Sequence, residues 1–204
     1  MPPLDLRPFQ AADLPALSRI CLETGDNGHD ATPRASHPEL LSDYFAVPYA
    51  VRQPEACLVL ADAVGPCGYV VGTFDTIAWC GWFNREWLPG LRAKYRSVEP
   101  RSDACDAWLL AWLAQDAEPP PHTAAFPAHL HIDLLPRAQG GGWGRKLFSG
   151  WCDLAATHGA TGVHLGVSRR NPRAVAFYER MGMTRIAEPE GAWIYGLRLG
   201  NRVG

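Results

Sequence analysis

The sequence predicts an α/β (α+β) fold, and three stretches carry that prediction. Residues 129–135 alternate around apolar Leu130, Ile132 and Leu134, the period of a half-buried strand. After the glycine-rich run 139–144, Leu147, Phe148, Trp151, Leu154 and Ala155 recur at the period of an amphipathic helix. A further strand at 162–167, with Val163, Leu165 and Val167 on one face, precedes Asn171-Pro172, a good N-cap followed by a good first helical residue.

Leu4, Leu6 and Pro8 flank a short first strand, and Asp13 is placed to cap a helix that turns Leu14, Leu17, Ile20 and Cys21 to one face. Residues 25–30 form a polar turn. Its acids lack the DxDxDG spacing and later Glu of a calcium loop, so no metal is expected there. A short helix is expected over 38–45, then strands at 57–61 and 68–74 joined by the turn Val64-Gly65-Pro66. About fifty residues, 77–127, separate these from the next strand. In them Trp79, Trp82, Phe83, Trp87, Leu88 and Leu91 give one helical segment, Trp108, Leu109, Trp112 and Leu113 another, and Pro119-Pro120-Pro121 a stiff return. Clustered Trp at helical spacing reads as packing rather than ligand contact. Pro136 ends the strand at 129–135 because it has no N–H to donate. His158-Gly159 and Gly182 stop the two later helices, and 191–199 offers a closing strand.

A strand, a glycine turn and a helix in that order aim several unpaired backbone N–H groups at one point, where the helix dipole adds about +0.5 charge. Such a point suits a phosphate, and spacing decides which kind. A nucleotide P-loop needs Gly before its Lys and Ser or Thr after it, whereas Lys146 stands between Arg145 and Leu147. The dinucleotide fingerprint GxGxxG fails as well: its third glycine falls on Leu147 from one start and on Arg145 from the other. A flexible linker is disfavoured because the run is wedged between two strongly patterned elements. What remains is QxxGxG, on Gln139, Gly142 and Gly144, which resembles the pyrophosphate loop of the GNAT acyltransferase superfamily. Downstream, NPRAVAFYERMGM, beginning at Asn171, is similar to that superfamily's NxxAxxFYxxxGF, with Met183 where an aromatic is usual. The ETGDNGHD loop, GYVVGTFD and HLHIDL further resemble the acetyltransferase-like domain of O-GlcNAcase and its free-standing bacterial relatives.

The resemblance implies a single GNAT-like domain over 1–204. It carries a central mixed, mostly antiparallel sheet with flanking helices, strands splayed at the cofactor site, and 77–127 as a helical insert before the fourth strand that covers the acceptor side. It also implies an acetyl-CoA-dependent N-acetyltransferase. Backbone groups of Leu134 and Leu135 would pair with pantetheine, and Asn171 would touch the pantetheine arm. The amides of Gln139, Gly140, Gly141, Gly142, Trp143, Gly144 and Arg145 would take the pyrophosphate, with Arg145 and Lys146 in reach of other phosphates. The amine would attack the thioester directly, a backbone N–H near Leu134 steadying the oxyanion. Tyr178 stands where the family places the acid that protonates the thiolate. Asp75 and Asp133, at or near strand ends, are the candidate bases, with capping of loop N–H groups as their alternative role, and His131 shares the face of Asp133. The animal O-GlcNAcase domain is regarded as having lost the cofactor loop, so the rival reading is a catalytically weak or inactive acetyl-CoA-binding module.

Composition bounds the partners. At 204 residues the chain can bury about 70% of its unfolded surface around one core without disulfides. Six cysteines show no CxxC pairing and sit in apolar patterns, which fits free thiols in a reducing, cytoplasmic compartment and gives no metal set. Met-Pro-Pro-Leu-Asp has neither basic residues nor an apolar core, so no export signal is expected. A net charge of −2 without a long basic run argues against nucleic acid, and the lack of an 18-residue apolar stretch argues against a membrane span. The acceptor stays open among an aminosugar, a small polyamine and a protein lysine, and a homodimer stays open as an assembly.

Overall fold

A computed structural model describes residues 4–200; the first three residues, on which the export-signal reading partly falls, lie outside the described residues. Seven strands among them form one sheet: β1 (Asp5–Pro8), β2 (Leu58–Asp62), β3 (Gly65–Thr73), β4 (Ala128–Leu134), β5 (Gly162–Ser168), β6 (Thr184–Ala187) and β7 (Ala192–Arg198). Their order is β1-β2-β3-β4-β5-β7-β6, and every neighbouring pair is antiparallel except β4 and β5. The sheet is therefore mixed and mostly antiparallel, with helices on both faces.

Strand alternation sorts those faces. In β3 and β4 the pairs Tyr69↔Asp133, Val71↔His131 and Thr73↔His129 share one face, and α1 (Leu14–Thr24), α2 (Leu40–Phe45) and α3 (Val47–Arg52) gather on that side. The other face takes α7 (Trp143–Thr157), whose Trp151 is fully buried and donates its indole N–H to the Ala56 carbonyl at 2.8 Å. Gly72 permits that approach: a Cβ there would collide with the His129 carbonyl and the Trp151 ring. α8 (Pro172–Arg180) begins as its sequence dictates, with the Asn171 carboxamide oxygen accepting from Ala174 N–H at 3.0 Å and Pro172 at the first position.

The insert forms α4 (Thr76–Trp82), α5 (Leu88–Tyr95) and α6 (Ala107–Trp112), with the wider hydrogen-bonded turn of a π-helix over Phe83–Trp87. The helical segment expected over Trp79 to Leu91 is thus one run with a π-turn inside it. Trp79 packs as expected, stacked between Tyr49 at 4.7 Å and Phe83 at 4.6 Å. Trp108 and Trp112 do not, staying 43% and 51% exposed while Leu109 and Leu113 turn inward. Their helix presents the leucines to the core, and the indoles stack edge-on outside. Polar ties hold the insert to the first helices: Trp87 N–H donates to the Asp43 carbonyl at 2.8 Å, and buried Asp106 accepts from Ser36 N–H at 2.9 Å.

Asp13 departs from expectation. It precedes α1, yet its carboxylate turns back to accept from Arg7 at 2.7 and 2.8 Å and from Gln10 N–H at 2.8 Å, making no cap bond to α1. A buried carboxylate is held better by a two-pronged guanidinium than by one amide. α3 and β6 were not expected; at six and four residues each is too short to show a period.

Candidate functional site

β4 and β5 are paired only at Ala128↔Val163 and His129↔His164. Beyond those positions β4 continues along β3 to Leu134 and β5 along β7 to Ser168, so a wedge opens between the two parallel strands. Leu135 donates its N–H to the Cys67 carbonyl at 2.9 Å and accepts from Ala138 N–H at 2.9 Å, so both its backbone groups are occupied by the fold. Alternation then turns the Leu134 N–H and C=O into the wedge. Of the two leucines singled out for pantetheine, the structure leaves the Leu134 N–H facing the gap, its C=O being taken by the Gln139 side chain at 2.7 Å.

The glycine turn stands at the mouth of this wedge. Gly140 and Gly142 have φ of +87° and +77°, a backbone that L side chains rarely adopt, and Gly142 is the N-cap of α7. The first helical bond of that end runs from Lys146 N–H to the Gly142 carbonyl. Six successive N–H groups, from Gly140, Gly141, Gly142, Trp143, Gly144 and Arg145, find no acceptor among the described residues. Gln139 differs. Its own N–H donates to Pro136 O at 3.2 Å, while its side chain donates to Leu134 O and accepts from Arg173, each at 2.7 Å. It braces the loop between the end of β4 and α8. Lys146 folds over the Trp143 ring at 4.0 Å.

Asp133 lies on the stretch of β4 that β5 does not pair, and Tyr178 of α8 lies close enough to feel its charge. Asp133 accepts from the Tyr69 hydroxyl at 2.6 Å, and burial pushes its carboxyl up against the stabilising bonds from Tyr69 and Thr24. Tyr178 is 8% exposed, and its hydroxyl makes no hydrogen bond among the described residues. Burial, then the Asp133 charge, raise its pKa and keep the phenol protonated. Asp75 stands apart: it is exposed and caps α4, accepting from Ala78 N–H at 3.0 Å. It lies beside Pro127, about 20 Å along β4 from Asp133 at 3.3 Å per residue. The two acids cannot share one reacting atom. The Asn171 oxygen is occupied by its own helix, and its Nδ2 faces Gly28 in the turn after α1.

A cavity of about 330 Å³ lies under the insert, lined by residues of both diverging strands, Leu130 and His131 on one side and Leu165 and Gly166 on the other. Its floor holds His129, His131 and His164, and its walls include Tyr44, Trp79 and Trp112. Burial, then His164, push His131 down to about 4; burial, then His164 and His131, hold His129 well below the usual imidazole range, and burial lowers His164 to about 4. All three are neutral near pH 7. Thr76 donates to the Pro127 carbonyl at 2.7 Å and contacts His129 Nδ1 at 2.8 Å; Tyr49 bridges His129 Nε2 at 2.9 Å and His131 Nε2 at 3.2 Å. Sequence reading singled out only His131 of this set. The HLH spacing at 129–131 placed both histidines on the face of Asp133, whereas Tyr49, Thr76 and His164 come from three other elements that carry no shared pattern.

The Acetyltransferase (GNAT) family model matches residues 106–183. The crystal structure of SsHAT superposes with a TM-score of 0.87 at 35% identity, covering 98% of this chain and 100% of that one. Protein O-GlcNAcase of Rattus norvegicus is 25% identical over 189 residues, 91% of this chain. The chain spans 20% of the length of that relative. The fold is shared with yncA of Salmonella typhimurium, solved with its cofactor acetyl-CoA, at a TM-score of 0.57 and 17% identity over 99% of this chain and 97% of that one. With the parted parallel strands and the open amide turn already in place, these likenesses agree on one assignment: the chain belongs to the GNAT acetyltransferase family.

Proposed function

We propose that the chain moves an acetyl group from acetyl-CoA to a primary amine by direct attack. The observation that carries this reading is the row of six open N–H groups from Gly140 to Arg145, beside the unpaired stretch of β4 that ends at Leu134. Unpaired amides at a helix N-terminus suit a pyrophosphate, and the wedge edge suits an amide-bearing arm. Acetyl-CoA supplies an activated acyl carbon and a thiolate leaving group. Leu134 N–H is the donor for the carbonyl oxygen, and Tyr178 gives its proton to the departing sulfur. Burial, then the Asp133 charge, keeps the phenol protonated until that moment, and Asp75 serves α4 as its cap. Six free cysteines, five of them buried, support a reducing, cytoplasmic compartment.

The likeness to O-GlcNAcase over a fifth of that protein motivates a second reading, binding without turnover. Calorimetry with acetyl-CoA, followed by incubation of labelled acetyl-CoA with a panel of amines and mass spectrometry, separates the two. Binding plus an N-acetylated product supports acetyl transfer, binding with every amine untouched supports the second reading, and no binding rejects both.

A further inference from the structure

The cavity under the insert holds a hydrogen-bond chain whose direction can be worked out from one end. Thr76 has a single hydroxyl proton, and the Pro127 carbonyl can only accept, so that proton points at Pro127. His129 Nδ1 must then carry a hydrogen and donate it to the Thr76 oxygen. With His129 neutral, its Nε2 is a lone pair and accepts from the Tyr49 hydroxyl. The Tyr49 oxygen in turn accepts from His131 Nε2–H. His131 is thereby locked in one tautomer, its Nδ1 lone pair left over. That atom makes no hydrogen bond among the described residues, and the ring lines the cavity.

Resting on the acetyltransferase reading, we propose that this cavity receives a compact primary amine with an apolar body, and that the Nδ1 lone pair of His131 accepts the proton its nitrogen loses. The walls fit such a body: Tyr44, Trp79, Trp112 and Leu165 are apolar or aromatic. The floor, where the histidines stand, offers no carboxylate to an ammonium; the two acids of the lining lie at the exposed rim, Asp116 pairing with Arg92 at 2.9 Å and Glu118 turned to solvent. An amine with an ordinary pKa near 10.4 is only about one part in a thousand neutral at pH 7, so an apolar cavity that admits the neutral form selects it, and the free lone pair takes the proton once bonding to carbon has made that nitrogen far more acidic than a free ammonium. The step balances: the nitrogen–carbon bond forms, the carbon–sulfur bond breaks, the amine proton goes to His131 Nδ1 and the Tyr178 proton to sulfur. The imidazolium keeps its Nε2–H on Tyr49 and returns the new proton to water through the cavity mouth. His131 is the catalytic residue here; Tyr49, His129 and Thr76 are positioning residues.

The test uses the whole protein with benzylamine, hexylamine and spermidine as probes. His131→Gln keeps a side-chain N–H for Tyr49 but has no basic lone pair. We expect it to lower kcat for benzylamine and hexylamine by about 10²-fold or more, with acetyl-CoA affinity unchanged within about twofold. Tyr49→Phe should lower kcat less and release the tautomer lock, seen in ¹⁵N spectra of the histidine rings as a shift of His131 away from Nε2–H. Wild-type spectra showing His131 protonated on Nδ1, or His131→Gln turning over within about threefold of wild type, would overturn the inference and leave acetyl transfer standing. Preference for spermidine over both apolar amines overturns the assigned substrate class. A wild type that acetylates nothing overturns this inference together with the reading beneath it.

Discussion

Tyr178 offers a protonated phenol that nothing else in the described structure occupies, set against the Phe148 ring at 6.3 Å and within the field of Asp133. Replacing it by Phe removes one oxygen and leaves the packing. Turnover should fall by about 10²–10⁴-fold while acetyl-CoA affinity holds within about twofold, measured by steady-state rates and calorimetry. An unchanged rate removes Tyr178 from the chemistry. Gln139 has a different job, since its two side-chain bonds tie the loop to Leu134 and Arg173. Gln139→Ala should weaken acetyl-CoA binding by about five- to tenfold, about 1 kcal/mol for the lost brace. Equal affinity in a titration would show the brace to be idle. Both residues were legible in the sequence as motif positions. That Gln139 acts through its side chain depends on partners 5 and 34 residues away and was not legible, whereas the cap made by Asp75 was one of its two expected roles.

At the scale of elements, the helix N-terminus is the part on which the proposed binding of acetyl-CoA depends. Gly142 sits in the left-handed region at the start of α7, where a β-branched residue is strained by about 1–2 kcal/mol. Gly142→Val should reorient the six amides and cut acetyl-CoA affinity at least about tenfold while far-ultraviolet circular dichroism stays near wild type. Retained affinity would mean that the pyrophosphate sits elsewhere. Asn171→Ala removes the cap bond of α8 and should lower unfolding free energy by about 1 kcal/mol in urea titrations. β4, α7, β5 and α8 could be read beforehand because each is long and periodic, with its own stop signal. α3 and β6 could not, because six and four residues hold too few repeats.

For the whole molecule, the histidine cluster sets a pH dependence. His131 and His164 titrate near 4 in the folded protein against about 6.5 when unfolded, because burial disfavours their charged forms. Below 6.5 the unfolded chain takes up protons that the folded one refuses. Their contribution is therefore complete above pH 6.5 and is lost as pH falls toward 4, by at most about 3 kcal/mol per histidine. The raised carboxyl of Asp133 acts in the opposite direction, and it is one group against several. Calorimetry between pH 8 and 4 should show Tm falling through this window, with a shallower fall in His164→Gln. A flat Tm would mean that the cluster is hydrated or already charged.

The sequence by itself determined the half of the site that we assign to acetyl-CoA. A strand, a glycine turn and a helix are consecutive in the chain, so local backbone geometry alone brings the amides of Gly140 to Arg145 to one point. Only the tertiary structure decided the half that we assign to the acceptor, because His131, Tyr49, Thr76 and His164 meet across β4, α3, α4 and β5. No local period links residues so far apart in sequence; their meeting follows from how the sheet opens between β4 and β5 and where the insert packs over the opening.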